Sequence, residues 1–216
     1  MLFVALGLAV LGVNLFLPSL RRRRWVAGVI SRAFFRAAGI PFTVEGLERL
    51  PQVPCVVVAN HSSYIDALAA CAALPPDFAF VIKKEMVRVP LAGLLLRRLG
   101  SQFVERFDRH KDGVDARRVL KLAATGQSLV FFPEGTFTEI AQVGKFHGGA
   151  FVTAARSGMP IVAVAIHGTR EVMPPGGLKV HPEPIRVEIL EVIAAQDARQ
   201  RSRELIARAV GEPLGP

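Results

Sequence analysis

Residues Cys55 to Ala59 read Cys-Val-Val-Val-Ala, with no polar side chain until Asn60. A half-exposed strand alternates apolar and polar residues. An unbroken β-branched run leaves no face for water and reads as a strand buried inside a sheet. The run ends abruptly. His61 follows Asn60, then come Ser62 and Ser63, residue types that begin helices, and Asp66 lies one turn into the segment that runs to Leu74. A histidine and a carboxylate thus stand where a buried strand meets the surface.

The rest of the chain repeats that rhythm. Strand-like runs at 42–46, 78–82, 102–105, 128–132, 161–166 and 185–193 alternate with helical segments at 62–74, 90–99, about 113–125, 149–157 and 197–210. Prolines and glycines such as Pro75, Pro76 and Gly100 separate them. The alternation predicts an α/β fold: one domain over residues 41–216, with a mixed, largely parallel central sheet flanked by helices. Functional residues of such sheets collect just past the strand ends. His61, Lys83, Arg106, Glu134 and His167 all take that kind of position, His167 reading as a structural strand-end histidine.

Residues 1–40 form an appendage. Residues 1–20 are almost wholly apolar, broken by Asn14 and Pro18, and are followed by Arg21 to Arg24 and Trp25. Twenty helical residues reach about 30 Å, enough to span or dip into a bilayer. The basic residues follow the apolar run instead of preceding it, which argues against a secretory signal. The positive-inside rule puts them, and the domain after them, on the cytoplasmic side of the inner (cytoplasmic) membrane. From Trp25 to Ile40, Val26, Val29, Ile30, Phe34 and Ala37 recur at helical spacing and predict an amphipathic, membrane-associated helix.

Charge points the same way. The 216-residue chain carries a formal +9, and its aromatics are 14 Phe with one Trp and one Tyr. An anionic membrane surface or a phosphorylated ligand suits that balance. Nucleic acid does not: the apolar start would be unexplained, and no recognised motif for it occurs. Cys55 and Cys71 read as small buried hydrophobes. No metal-ligand spacing stands out, and neither a metal nor a bound cofactor is called for.

If His61 precedes the helix and Asp66 lies in its first turn, with Ser62 or Ser63 as N-cap, the carboxylate reaches back to one imidazole nitrogen. The other nitrogen is then left as a general base, two-thirds of a triad in which a substrate hydroxyl takes the serine's place. The spacing alone is weak, because His110 and Asp115 repeat it. That second pair has no strand before it and reads as solvated surface.

At these residues the chain resembles the glycerolipid acyltransferase family, which includes the bacterial 1-acylglycerol-3-phosphate acyltransferases. The family's Asn-His-x4-Asp block is matched by Asn60, His61 and Asp66. Its Gly-x-x-Phe-x-x-Arg block is matched by Gly100, Phe103 and Arg106, and its Phe-Pro-Glu-Gly-Thr block by Phe132, Pro133, Glu134, Gly135 and Thr136. A fourth block, an apolar strand opened by proline, is matched by Pro160 to Ile166. Together they cover roughly residues 55 to 170.

The resemblance implies transfer of a fatty acyl group from acyl-CoA or acyl-carrier protein to the hydroxyl of a lysophospholipid. His61 would act as base and Asp66 as its orienter. Arg106 and Lys83 become candidate phosphate ligands. Glu134 would accept from a ligand hydroxyl or brace its loop, and backbone N–H groups of Glu134 to Thr136 would face the oxyanion. Arg97, Arg98, Arg109, Arg117, Arg118 and Lys121 would face headgroups, CoA phosphates or an acidic carrier protein. Two departures matter. Phe137 stands where the family commonly has Arg, and His147 stands where Phe-Lys-x-Gly would place Lys. Both losses weaken the case for lysophosphatidate and open the way to another headgroup, including an ornithine-type lipid. A non-catalytic lipid-binding protein on this fold is the alternative from another class, and the intact pair argues against it.

Overall fold

The computed structural model describes Gly12 and residues 16–105, 109–177 and 179–216; side chains of residues 109–116 lie outside that description. A sheet of seven strands forms the middle layer: β1 (Phe42–Glu45), β2 (Val56–Ala59), β3 (Phe78–Lys83), β4 (Gln102–Val104), β5 (Ser128–Phe131), β6 (Ile161–His167) and β7 (Ile185–Ile193). Their spatial order is β1-β7-β6-β2-β5-β3-β4. Every neighbouring pair is parallel except β6 and β7. The expected mixed, largely parallel sheet is what forms.

Strand β2 sits centrally, between β6 and β5, and all four of its residues are buried. Its side chains divide between two cores. Val57 and Ala59 pack with Phe34 and Phe35 of helix α1 (Leu20–Ala37) and with Ala69, Ala70 and Ala73 of α2 (Asp66–Ala73). Val56 and Val58 pack with Val119 and Ala123 of α4 (Arg109–Ala124), Phe151 and Ala154 of α5 (Gly149–Ser157), and Ile206 of α7 (Ala198–Val210). Between them in sequence come α3 (Ala92–Arg98) and the short α6 (Thr169–Val172). Helices on both faces are what an apolar run without alternation requires.

Several boundaries differ from expectation. Helix α2 begins at Asp66, not at Ser62, because the N–H groups of Ser62 and Ser63 turn onto the Asp66 carboxylate instead of entering the helix. The serines therefore do not cap it; Ser63 spends its hydroxyl on the Met173 carbonyl, 2.7 Å away. Helix α4 already begins at Arg109, so His110 and Asp115 lie on a helix, their side chains outside the described set.

Helix α1 docks on the domain through a face that shares only Phe34 with the expected stripe. Arg24, Ala27, Gly28, Ser31, Phe34 and Phe35 are buried, while Trp25 and Val29 face outward. At Gly28 the two helices nearly touch: a Cβ there would stand 2.8 Å from the Cys71 carbonyl oxygen of α2. The arginine row is not a single membrane-facing band, because consecutive helical residues are turned about 100° from one another. Arg21 pairs with Asp77 at 2.9 Å, and Arg24 donates to the Leu99 carbonyl at 2.9 Å and the Gln127 side chain at 3.2 Å. Among the described residues no helix is long and apolar enough to cross a membrane; the apolar run at 1–15, Gly12 apart, lies outside them.

Candidate active site

The parallel arrangement delivers the ends of β2, β3, β5 and β6 to one edge of the sheet. Just past β2, Asn60 clasps the adjoining strand. Its Oδ1 accepts the Ile166 N–H at 2.8 Å and its Nδ2 donates to the Ile166 carbonyl at 2.9 Å. Asn60 is buried, and this paired bond carries the β2–β6 ladder one step beyond its end. Both polar atoms of the Asn60 side chain thus brace the neighbouring strand.

His61 and Asp66 meet as the spacing predicts. His61 Nδ1 lies 2.8 Å from Asp66 Oδ2. The same oxygen accepts the N–H of Ser62 at 2.6 Å and of Ser63 at 2.8 Å. An ionised carboxylate only accepts, so the Nδ1 proton points to Asp66 and Nε2 carries the lone pair. Asp66 is fully buried, and its other oxygen, Oδ1, has no hydrogen-bond partner among the described residues. The imidazole is fixed on its faces as well. Phe132 stacks on it with centroids 4.6 Å apart, Phe137 meets it edge-on at 4.7 Å, and Tyr64 meets Phe137 at 4.7 Å.

Glu134, reached through Pro133 from β5, braces backbone with both carboxylate oxygens. Its Oε1 accepts the His61 N–H at 2.8 Å and its Oε2 the Gly144 N–H at 2.6 Å. Burial pushes its carboxyl above the usual range, and the two backbone donors oppose that shift. The oxyanion expectation needs one correction: the Gly135 N–H is taken by the Phe132 carbonyl at 3.1 Å. Nor is either cysteine poised to attack, since burial pushes both thiols up to about 11.

A cavity of about 200 Å³ opens beside His61, lined by Glu134, Thr136, Thr138, Gln142, Gly144, Lys145 and His147. Lys145 and His147 were missed as a pair. The sequence signal was present, two basic side chains flanking Phe146, but a loop's direction is set by its tertiary partners. They bring cationic capacity to the cavity although Phe137 does not.

The remaining candidates that the structure describes are not gathered here. Lys83 ends β3, separated from β2 by β5, with its Nζ 3.4 Å from Glu85. Gly100 lies before β4, at the opposite edge of the sheet, where φ is +71° and a Cβ would stand 3.0 Å from Arg24 and Leu20. Phe103 is half-buried within β4, beside Ile82. Arg106 lies outside the described residues. His167 pairs with Glu188 at 3.4 Å, its pKa lowered by burial and by Arg186. Among the described residues, no group of three or more His, Cys, Asp or Glu is placed to hold a metal.

The profile of the Acyltransferase family matches residues 41–167, more than half of the chain. The chain belongs to that family. It is 32% identical over 161 residues to a chloroplastic 1-acyl-sn-glycerol-3-phosphate acyltransferase of Brassica napus, covering 72% of this chain and 46% of that protein. It is 34% identical over 137 residues to a lyso-ornithine lipid O-acyltransferase of Pseudomonas aeruginosa, covering 63% of this chain and 52% of that one. The chain thus spans about half the length of these acyltransferase relatives. Its fold is that of the 1-acyl-sn-glycerophosphate acyltransferase PlsC from Thermotoga maritima, with a TM-score of 0.78 at 24% identity over 95% of this chain and 87% of that one.

Proposed function

We propose that this chain transfers a fatty acyl group from an acyl thioester, acyl-CoA or acyl-carrier protein, to the free hydroxyl of a lysophospholipid, with 1-acylglycerol-3-phosphate as acceptor and phosphatidate as product. The observation that carries the reading is the 2.8 Å bond from His61 Nδ1 to a fully buried Asp66, with the imidazole at the wall of an open cavity. Nε2 takes the hydroxyl proton as the oxygen attacks the thioester carbonyl. The tetrahedral intermediate then collapses by breaking the carbon–sulfur bond, and the imidazolium returns its proton to the departing thiolate. Asp66 stabilises the imidazolium and holds its tautomer. Lys145 and His147 are the groups proposed to meet the acceptor's anionic headgroup, in the role that residue 137 does not fill.

A second acceptor class has its own support. Phe137 and Tyr64 put an apolar wall beside the base, and the lyso-ornithine lipid enzyme is among the relatives. One assay separates the two: purified protein given a panel of lysolipids with both thioester donors. Turnover confined to lysophosphatidate supports the first acceptor, and turnover confined to lyso-ornithine lipid replaces it with the second. No turnover with any pair would sink both.

Membrane association belongs to the same proposal. The outward face of α1 places Arg22, Trp25, Val29, Arg32 and Arg36 at alternating three- and four-residue spacing, and Trp25 is 57% exposed. An aromatic among arginines suits the interface of an anionic bilayer. The cytoplasmic face of the inner membrane is the side proposed for it.

A further inference from the structure

Residues Thr136 to His147 wall the cavity, and apart from one bridge at Val143 they form neither helix nor strand. Backbone groups without such partners need others. Here three arginines from outside the family blocks provide them. Arg170 of α6 donates to the Thr138 carbonyl at 2.6 Å. From α7, Arg199 Nε reaches the Phe146 carbonyl at 2.8 Å. Arg203 takes two consecutive carbonyls, Gly144 through Nε at 2.8 Å and Val143 through Nη2 at 3.0 Å. Arg203 Nη2 also donates to the Gly215 carbonyl. The segment after α7 is tied in turn to Val143: the Val143 N–H donates to Pro213 and the Gly215 N–H to Val143, both at 2.9 Å.

The route continues to the base. Gly144, whose carbonyl Arg203 holds, gives its N–H to Glu134 Oε2, and Glu134 Oε1 holds the N–H of His61. We infer that Arg203 is a positioning residue of the transfer reaction, with Arg199 and Arg170 as its partners. It clamps the loop that carries Lys145 and His147 and, through Gly144 and Glu134, sets the backbone position of His61. An arginine suits the task because its planar fork can serve adjacent carbonyls at once; a lysine there reaches one at a time. The inference rests on the reading of His61 as the base.

Arg203→Gln, Arg203→Lys and, as a control on the same helix, Arg201→Gln are compared by steady-state kinetics and hydrogen exchange of the full chain. Arg201 is a suitable control because it is exposed and its partner is Glu191 of β7, not a carbonyl of the loop. Arg203→Gln is expected to lower kcat by about tenfold or more, as a displaced reacting group does, with KM for the thioester donor within about twofold of the parent. Amides of 137–147 should exchange about tenfold faster while those of β2 and β6 keep their protection. Arg203→Lys should recover part of kcat, and Arg201→Gln should match the parent in every reading. Unchanged kcat and unchanged exchange in Arg203→Gln would overturn the inference. So would faster exchange spread evenly over the domain, which marks lost stability alone. The exchange arm needs no substrate, so an inactive parent chain would count against the acyl-transfer reading and not against the clamp.

Discussion

Asp66 accepts three donors on one carboxylate oxygen, and only one of the three belongs to the imidazole. The other two are backbone groups that fix the turn carrying His61. Replacing Asp66 with Asn therefore does two things: it removes the charge that stabilises an imidazolium, and it disturbs the acceptor for the Ser62 and Ser63 amides. Asp66→Asn should lower kcat by about 10³-fold or more, read as acyl transfer under saturating donor. His61→Ala should abolish transfer with the melting temperature kept within a few degrees, whereas His110→Ala should transfer normally. Equal loss in the two alanine variants would remove the assignment. At residue 137, Phe137→Arg adds a cation where an aromatic ring now meets the His61 imidazole. It should lower KM for lysophosphatidate by about tenfold, the scale of one charge-assisted contact, and leave an uncharged lysolipid unimproved.

At the scale of elements, α1 serves the fold with one face, and its other face is the one proposed to meet a membrane. Gly28→Val places a side chain against the Cys71 carbonyl and should cost about 1–3 kcal/mol as helix contact is forced apart, measurable by urea unfolding. Trp25→Ser with Val29→Ser alters only the outward face. That pair should leave stability unchanged and weaken binding to anionic vesicles in a sedimentation assay; undiminished binding would place the membrane contact elsewhere. The seven strands and the longer helices that flank them were legible from the sequence, because apolar period and proline or glycine stops are local signals; the four-residue α6 was not, being too short to show a period. The face that α1 buries was not legible. Two stripes on one helix each carry apolar residues, and only the small residues Ala27, Gly28 and Ser31 permit the close approach to α2.

Across the whole molecule, the segment after α7 is pinned beside the active-site loop, with Glu212 Oε1 3.5 Å from Arg170 Nε. Burial raises the Glu212 carboxyl above its ordinary value, and Arg170 opposes the rise. A carboxyl whose folded pKa is raised binds its proton more tightly when folded. Its ionisation therefore works against the folded state, with a cost absent below the unfolded value of 4.5 that grows as pH rises through the folded value. Relative to Glu212→Gln, the parent should lose melting temperature as pH is raised from 4 towards neutrality. A difference independent of pH would mean that the carboxyl is not perturbed. Glu134 carries a shift of the same sign from burial, so the comparison is made on Glu212, which does not line the cavity.

The sequence alone determined the α/β fold, the strand order along the chain and the pairing of His61 with Asp66. Those depend on residue type and short spacing: a buried run, a strand end and a carboxylate one turn on. Tertiary structure decided which neighbours fill the site. Gly100 belongs to a family block yet packs at the far edge of the sheet, Asn60 and Glu134 brace backbone, and Lys145 and His147 reach the cavity on a loop held by arginines about 30 to 60 residues further along the chain. No local pattern encodes such contacts. Their partners are brought together only when the sheet sets β6 and β5 on either side of β2.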